Sequence, residues 1–545
     1  MGFGRLGAAA FALCFLLLHA AIEADEPTGP QLGAVPESEE WRAYFHSLNS
    51  IVVHNQRMSN LMGPILNYSF SIPEVQLRKG MVYTGSNARL RRVVRDLITG
   101  KRQVRIGVVG GSVTWGTGPS VRGVTDWFSI FSRYMVTAFP KANVTLRNGC
   151  VPGTPTSYMI MCLELSVDSE VDLVFAEYVL NDGFDAGNRM IKNSKVMDVE
   201  RLARRILKMP SSPALVYMQL PSHGLAMDQG RDGYHSFAMT TEDLYNSVPQ
   251  YYDAGVLSLR TAMYRLAAVK KLEGYRWSNI MCGDGFHPGD GGHKVMADLA
   301  VWLIQQTAMD VFARPYSKID AELVAEEVPE PMYPGNTAPD TALCLFQDAM
   351  LPLVKESAGW DYVNEGTEVK PKKGYVTTTP DKPLTINVDT FRGTDSDVEV
   401  FIAHMRSYSD MGVAVVKCIS GCACPDKYID GWHELLNSQT HLAVVRASQH
   451  KECVMTITVE ATRKSGRAGQ DRPGTKFKVS GVMMGEAAAQ EERYKIPEGV
   501  WGMTGHADDK NEQKVFSSEG SSIVSAGQQA NKVADPPAAG ARHLA

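Results

Sequence analysis

The chain of 545 residues carries no excess of positive charge: 55 Lys and Arg against 60 Asp and Glu leave a formal net charge of −5. Nothing global draws such a chain to nucleic acid or to an anionic membrane surface, so neither is expected as a partner. Beyond the N-terminal segment no apolar run is long enough to cross a bilayer, and a membrane association is expected only if that segment is retained as an anchor. The dinucleotide fingerprint G-x-G-x-x-G is absent. Gly111 and Gly116 have P-loop spacing, but Thr117 and Gly118 follow where a phosphate cradle needs its lysine and hydroxyl residue. No internal repeat is present.

What is present begins with a targeting signal. Arg5 precedes the apolar run AAAFALCFLLLHAAI, and small residues follow before Glu23, Asp25 and Glu26. The run is short for a membrane span and reads as a signal peptide, residues 1–24, cleaved near Ala21–Ala24; a retained type II Golgi anchor is the alternative. Eight cysteines remain beyond it: Cys150, Cys162, Cys282, Cys344, Cys418, Cys422, Cys424 and Cys453. An even count behind a secretory signal reads as disulfides. The last four have the look of a metal cluster, yet the same context favours two disulfides among three connectivities. Sequons at Asn67 and Asn143 suit a secreted, extracellular glycoprotein.

The organising stretch is Val104–Gly116, VRIGVVGGSVTWG. A nearly continuous apolar run ending in glycines predicts a strand of a parallel sheet buried on both faces. Ser112 follows on glycines that allow a sharp bend, which brings its hydroxyl to the C-terminal edge of the sheet, where open α/β folds bind ligands. Around it the pattern alternates. NARLRRVVRDLITG has Leu90, Val93, Val94, Leu97 and Ile98 at helical spacing and stops at Gly100. TDWFSIFSRYMVTAF is a helix, NVTLRNG a strand, VDLVFAEYVLND a strand, VERLARRILKM a helix and ALVYMQL a strand. YYDAGVLSLRTAMYRLAAV reads as a turn and a helix, and the helix of HPGDGGHKVMADLAVWLIQQ closes the unit with Asp290 placed to cap it. Strands alternating with helices mean an α/β domain with a parallel sheet.

Six later segments, PLTINVDTF, VEVFIAHM, GVAVVKCI, HLAVVRAS, CVMTITVEAT and KFKVSGVMM, lack helical period and predict a small antiparallel β-sandwich. The expected division is a lead-in at 25–98, the α/β domain at 99–312, a Pro- and acid-rich linker at 313–343, the sandwich at 344–490 and a low-complexity, disordered tail at 491–545.

A serine hydroxyl is a weak nucleophile unless a base and an orienting group adjoin it. DGFHPGDGGH supplies both: Asp284 lies three residues before His287, a spacing that lets the carboxylate hold one imidazole nitrogen while the other faces Ser112. NGCVPGTPTSY offers the backbone N–H of Gly153, and YVLND places Asn181 at the end of a buried strand. With the Ser112 N–H these make a three-donor oxyanion hole. Four blocks in this order, GGS112, PG153T, LN181D and D284GFH287, resemble the SGNH hydrolases, or GDSL-type esterases, over roughly residues 100–310. The first block is similar to the GGSxTxG of a secreted branch in green algae and fungi. Two positions depart from the family pattern: Gly111 stands where it has Asp, and Val179 where it has Gly.

The resemblance implies a flavodoxin-like three-layer fold and acyl-ester chemistry without metal or cofactor, on an acylated small molecule or polysaccharide. Ser112, Asp284 and His287 would be catalytic, and Ser112, Gly153 and Asn181 the oxyanion donors. Secretion and the appended sandwich point to O-acetyl groups of an extracellular or cell-wall polysaccharide. Two other readings stand beside this one: an O-acyltransferase using the same residues, and a non-catalytic carbohydrate-binding or wall protein. His293 reads as a packing or capping residue, and Asp182 as a brace for the turn after Asn181. Trp115, Tyr158 and Tyr178 flank the site as core residues or sugar-stacking rings. A Cys150–Cys162 disulfide would hold the Gly153 loop. Because all four blocks precede residue 320, a chain ending near Asp320 would keep activity on small esters.

Overall fold

The computed structural model describes residues 59–182, 194–221, 237, 241–338, 341–368, 370–433, 438–461 and 474–486. The signal segment 1–24 and the tail 491–545 lie outside the described residues.

The α/β domain is built on β2 (Val104–Gly110), buried along its length except for Arg105. Its neighbours are β3 (Val144–Asn148) and β4 (Leu173–Glu177), followed by β5 (Ala214–Gln219) and β6 (Gly255–Ser258), all paired in parallel. A short β1 (Met81–Tyr83) adds antiparallel to β6, so the order is β1-β6-β5-β4-β2-β3. The chain leaves β2 toward one side for β3 and returns past it to β4. That reversal opens a crevice at the C-terminal ends of β2 and β4, the switch point where ligands bind in such sheets.

Helices cover the sheet for reasons visible in the chain. Helix Ala88–Thr99 buries Leu90, Val93, Val94 and Leu97 and ends on Gly100 in the left-handed region, whose N–H donates to Asp96 O. Helix Trp127–Ala138 starts at Asp126, whose carboxylate accepts the Ser129 N–H. Helix Asp290–Ala313 closes the domain, largely buried, but Asp290 does not cap it. Gly289 occupies the cap position, and Asp290 Oδ1 instead accepts the Ser120 N–H at 2.8 Å.

Two expected boundaries change. Residues 59–98 are part of the α/β domain: Met62, Ile65, Ile72 and Leu77 join its core, and β1 extends its sheet. At three and four residues, β1 and β6 are too short to show a period of their own. The expected linker is folded as well. Helix Lys318–Ala325 carries a capping box between Ser317 and Asp320, and Asp320 pairs with the buried Arg91 at 2.8 Å. Fully buried Glu200 accepts the Asn336 amide and the Tyr252 hydroxyl, each at 2.6 Å. Proline and acid composition does not mark an unstructured linker here: a helix forms within it, and Arg91 and Glu200 supply partners for Asp320 and Asn336.

The sandwich has one sheet in the order β15-β12-β17-β10-β9, with β7 also on β17, and a second in the order β14-β13-β16-β11-β8. The six segments read from sequence are β11 (Pro383–Val388), β12 (Val398–Arg406), β13 (Val413–Ser420), β15 (Gln439–Ala447), β16 (Cys453–Val459) and β17 (Phe477–Glu486). The shorter β7 (Thr341–Phe346), β8 (Val354–Glu356), β9 (Asp361–Asn364), β10 (Lys373–Thr377) and β14 (Lys427–Asp430) complete the sheets.

The two domains are fused. Ala403 and Met483 of the sandwich pack in one apolar cluster with Tyr158 and Tyr178, and Phe346 meets Tyr158 edge-on at 4.9 Å. Cys162, on helix Thr156–Ser166, is bonded to Cys344 of β7, not to Cys150. Cys150 is a free thiol buried against β2, with its Sγ 3.7 Å from Val108 O; burial raises its pKa well above the ordinary value. Proximity in sequence suggests Cys150–Cys162, but Cys150 packs in one apolar cluster of the domain and Cys162 in the other. The remaining pairs are Cys418–Cys424 and Cys422–Cys453. Peptide mapping without reduction should therefore show Cys162 linked to Cys344. It should also show Cys282, partly exposed, alkylated in the native protein and Cys150 only after unfolding.

Candidate active site

Ser112 follows β2 and Asn181 follows β4, so the switch-point crevice brings them together before any side chain is considered. The serine turn is held from three sides. Thr114 donates from its N–H and hydroxyl to Glu177 Oε2 at 3.3 and 3.1 Å. The Trp127 indole donates to Thr114 Oγ1 at 3.1 Å, and the Asn148 amide to Thr114 O at 2.7 Å. Burial pushes the Glu177 carboxyl up to about 8 against those Thr114 bonds, which favour its charged form.

Ser112 Oγ lies 2.8 Å from His287 Nε2, and His287 Nδ1 lies 2.6 Å from Asp284 Oδ2. The other Asp284 oxygen accepts the N–H groups of Phe286 and His287 at 2.9 and 3.0 Å. Partial burial pushes the Asp284 carboxyl up, but the backbone and ring donors of His287 and the Phe286 N–H outweigh it and hold it below the usual range. It therefore remains a carboxylate, keeps the proton of the imidazole on Nδ1 and leaves the Nε2 lone pair to the serine.

Gly153 sits in the turn Val151–Thr154, with Pro152 before it, a φ of +76° and the Thr154 N–H reaching Val151 O at 3.4 Å. Proline followed by a left-handed glycine is a type II turn, which only glycine enters without strain. Asn181 packs directly on Gly111: a Cβ built there would fall 1.9 Å from Asn181 Oδ1 and 2.6 Å from its Nδ2. With the amide where it stands, any side chain at 111 would displace it, which accounts for glycine at this position in this chain. Asp182 is buried beside it and accepts the Thr156 N–H at 2.6 Å, the Thr156 hydroxyl and the Tyr245 hydroxyl at 2.8 Å. It braces the Asn181 turn and ties it to the end of the Gly153 loop.

Tyr158 and Tyr178 are core residues. Trp115 is half-buried, with the Arg122 guanidinium 3.7 Å and the Lys370 ammonium 5.4 Å from its ring centre. His293 is fully buried, and its Nδ1 accepts the Trp127 N–H at 3.1 Å. Burial lowers its pKa to about 4, so it is a neutral packing residue. Among the described residues, the one cysteine cluster with metal-ligand spacing is Cys418, Cys422 and Cys453, all of them in disulfides.

No protein-family model matches the chain, and no curated protein matches it by sequence. Solved structures do. A two-domain esterase active on acetylated mannans superposes with a TM-score of 0.54 at 16% identity, over 75% of this chain and 98% of the other. The structure of such an esterase co-crystallised with mannopentaose gives 0.53 at 15% identity, over 77% and 99%. The chain has the two-domain SGNH fold.

Within that fold, sequence reading missed the groups that hold the site. Glu177 stands in the run VFAEYVLND, where an acid inside a buried strand was the available signal. Thr114 and Asn148 gave none. Two more come from the sandwich: Lys370 Nζ donates to Thr117 Oγ1 at 2.9 Å, and the Thr440 N–H donates to Gly153 O at 2.9 Å. Burial depresses the Lys370 pKa, Lys372 adds to this and Asp284 opposes it.

Proposed function

We propose that this protein is a secreted serine esterase that removes O-acetyl groups from an extracellular or cell-wall polysaccharide. The observation that carries the reading is the unbroken chain from Ser112 Oγ to His287 Nε2 and from His287 Nδ1 to Asp284, at 2.8 and 2.6 Å. His287 takes the Ser112 proton as Oγ attacks the ester carbonyl, and the carbonyl π electrons move onto oxygen. The N–H groups of Ser112 and Gly153 and the Asn181 amide receive that charge. Collapse breaks the bond to the alkoxy group, which leaves with the proton from His287. Water, deprotonated by His287, then attacks the acyl-serine, and acid leaves as Ser112 regains its proton.

The choice of an acetylated glycan rests on the shared fold with esterases active on acetylated mannans. Secretion is supported by the three disulfides and by the exposure of both sequon asparagines, Asn67 and Asn143.

The test is direct. Purified protein should release acetate from acetylated glycans and hydrolyse p-nitrophenyl acetate. An organophosphonate at pH 8 should label Ser112 and no other serine, because only this one has a base and oxyanion donors. An adduct elsewhere, or none, returns the decision to a binding protein.

A further inference from the structure

We propose that the sandwich domain is a working part of the oxyanion hole, with the backbone N–H of Thr440 positioning Gly153. The proposal rests on the esterase reading above.

Three observations lead to it. Gly153 faces open space on its side-chain side: a Cβ built on it would meet nothing within 4 Å. The bond that closes its turn, Thr154 N–H to Val151 O, is long at 3.4 Å. The bond to its own carbonyl is better formed, at 2.9 Å, and its donor is Thr440 of β15, the edge strand of its sheet. Opposite Met405 in the pairing with β12, Thr440 turns its N–H out of the sheet, so this donor belongs to the Gly153 turn and not to the ladder.

The physical consequence concerns the middle peptide of the turn. Types I and II differ by a flip of the peptide joining the two central residues, here Pro152 and Gly153, and that peptide carries the Gly153 N–H. An oxyanion donor stabilises the transition state only if it is aimed beforehand. Fixing the Gly153 carbonyl from outside removes one end of the freedom through which the turn would rock. Lys370, bonded to Thr117, holds the serine turn from the same domain, so the sandwich grips both segments that frame Ser112. Thr440 is a positioning residue: it acts through Gly153.

Thr440→Pro deletes this one donor at an edge-strand position whose N–H faces outward, where proline is tolerated. Thr440→Ala keeps the N–H and is the conservative control. On p-nitrophenyl acetate, Thr440→Pro should lower kcat about tenfold, short of the ~10²–10³ lost when a donor is removed outright. KM should hold, and the rate of phosphonate labelling at Ser112 should fall in step with kcat. Thr440→Ala should match wild type in all three. If Thr440→Pro melts early, the ester-backbone variant, with the α-hydroxy analogue of threonine at 440, removes the N–H without the ring and should give the same split. Equal kcat and labelling in wild type and in a folded variant lacking the N–H overturn the positioning role and leave the esterase standing. A wild type that neither turns over nor labels overturns both.

Discussion

Asn181→Ala is expected to lower kcat by about 10²–10³ with KM changed far less, because a donor to the oxyanion matters mainly in the transition state. Asn181→Asp should be worse, since a carboxylate would face the developing negative charge. The packing of the amide on Gly111 adds a second route to the same defect. Gly111→Ala would put a Cβ 1.9 Å from Asn181 Oδ1, so the amide must move and kcat should fall comparably, although Asn181 itself is intact. Kinetics normalised to active-site titre, beside a thermal melt, separate this from a structural role. A destabilised Asn181→Ala protein whose folded fraction turns over normally would remove Asn181 from the site.

A chain ending near Asp320 is expected to lose all measurable activity, even on small soluble esters, and to bind a hydrophobic dye. Sequence alone leads to the opposite expectation, because the four blocks precede that point and proline-rich chain follows it. The truncation would strip Phe346, Ala403 and Met483 from the cluster around Tyr158 and Tyr178, leaving that apolar face in water. It would also leave Cys162 without Cys344 and Gly153 without its external donor. Breaking the covalent link alone, by Cys344→Ser, should cost about 2–4 kcal/mol and leave kcat near normal at a temperature where the protein is folded. Turnover of p-nitrophenyl acetate and a melt on each protein check the pair. A truncated chain that folds and turns over would show that the interface is dispensable.

Much of this protein is local and was legible. The strand before Ser112 announces itself by a continuous apolar run, since a strand covered on both faces has no polar side. Asp284 and His287 are three residues apart, and one turn of loop brings their rings and oxygens into contact without help from elsewhere. The helix of residues 88–99 is written in the spacing of Leu90, Val93, Val94 and Leu97 and in Gly100. Asn181 reads as a donor because it ends a predicted buried strand, and strand ends converge at a switch point; Gly153, in the loop beyond a predicted strand, is marked by the family block that PG153T resembles.

The rest depends on which distant surfaces meet. Strands of three or four residues, such as β1 and β6, have no period to read and exist only because a neighbouring strand supplies their hydrogen bonds. Cys162 chose Cys344, 182 residues away, because helix Thr156–Ser166 lies against β7, a fact of packing that cysteine spacing does not encode. The segment at 313–343 looked free because its partners, Arg91 and Glu200, lie more than a hundred residues earlier. Residue type, spacing and hydrophobic period are properties of the chain, and they determined which serine, histidine and aspartate would meet and the layered sheet that carries them. A backbone N–H such as that of Thr440 is present at every residue except proline; only the docking of one domain on the other decided that this one would face Gly153.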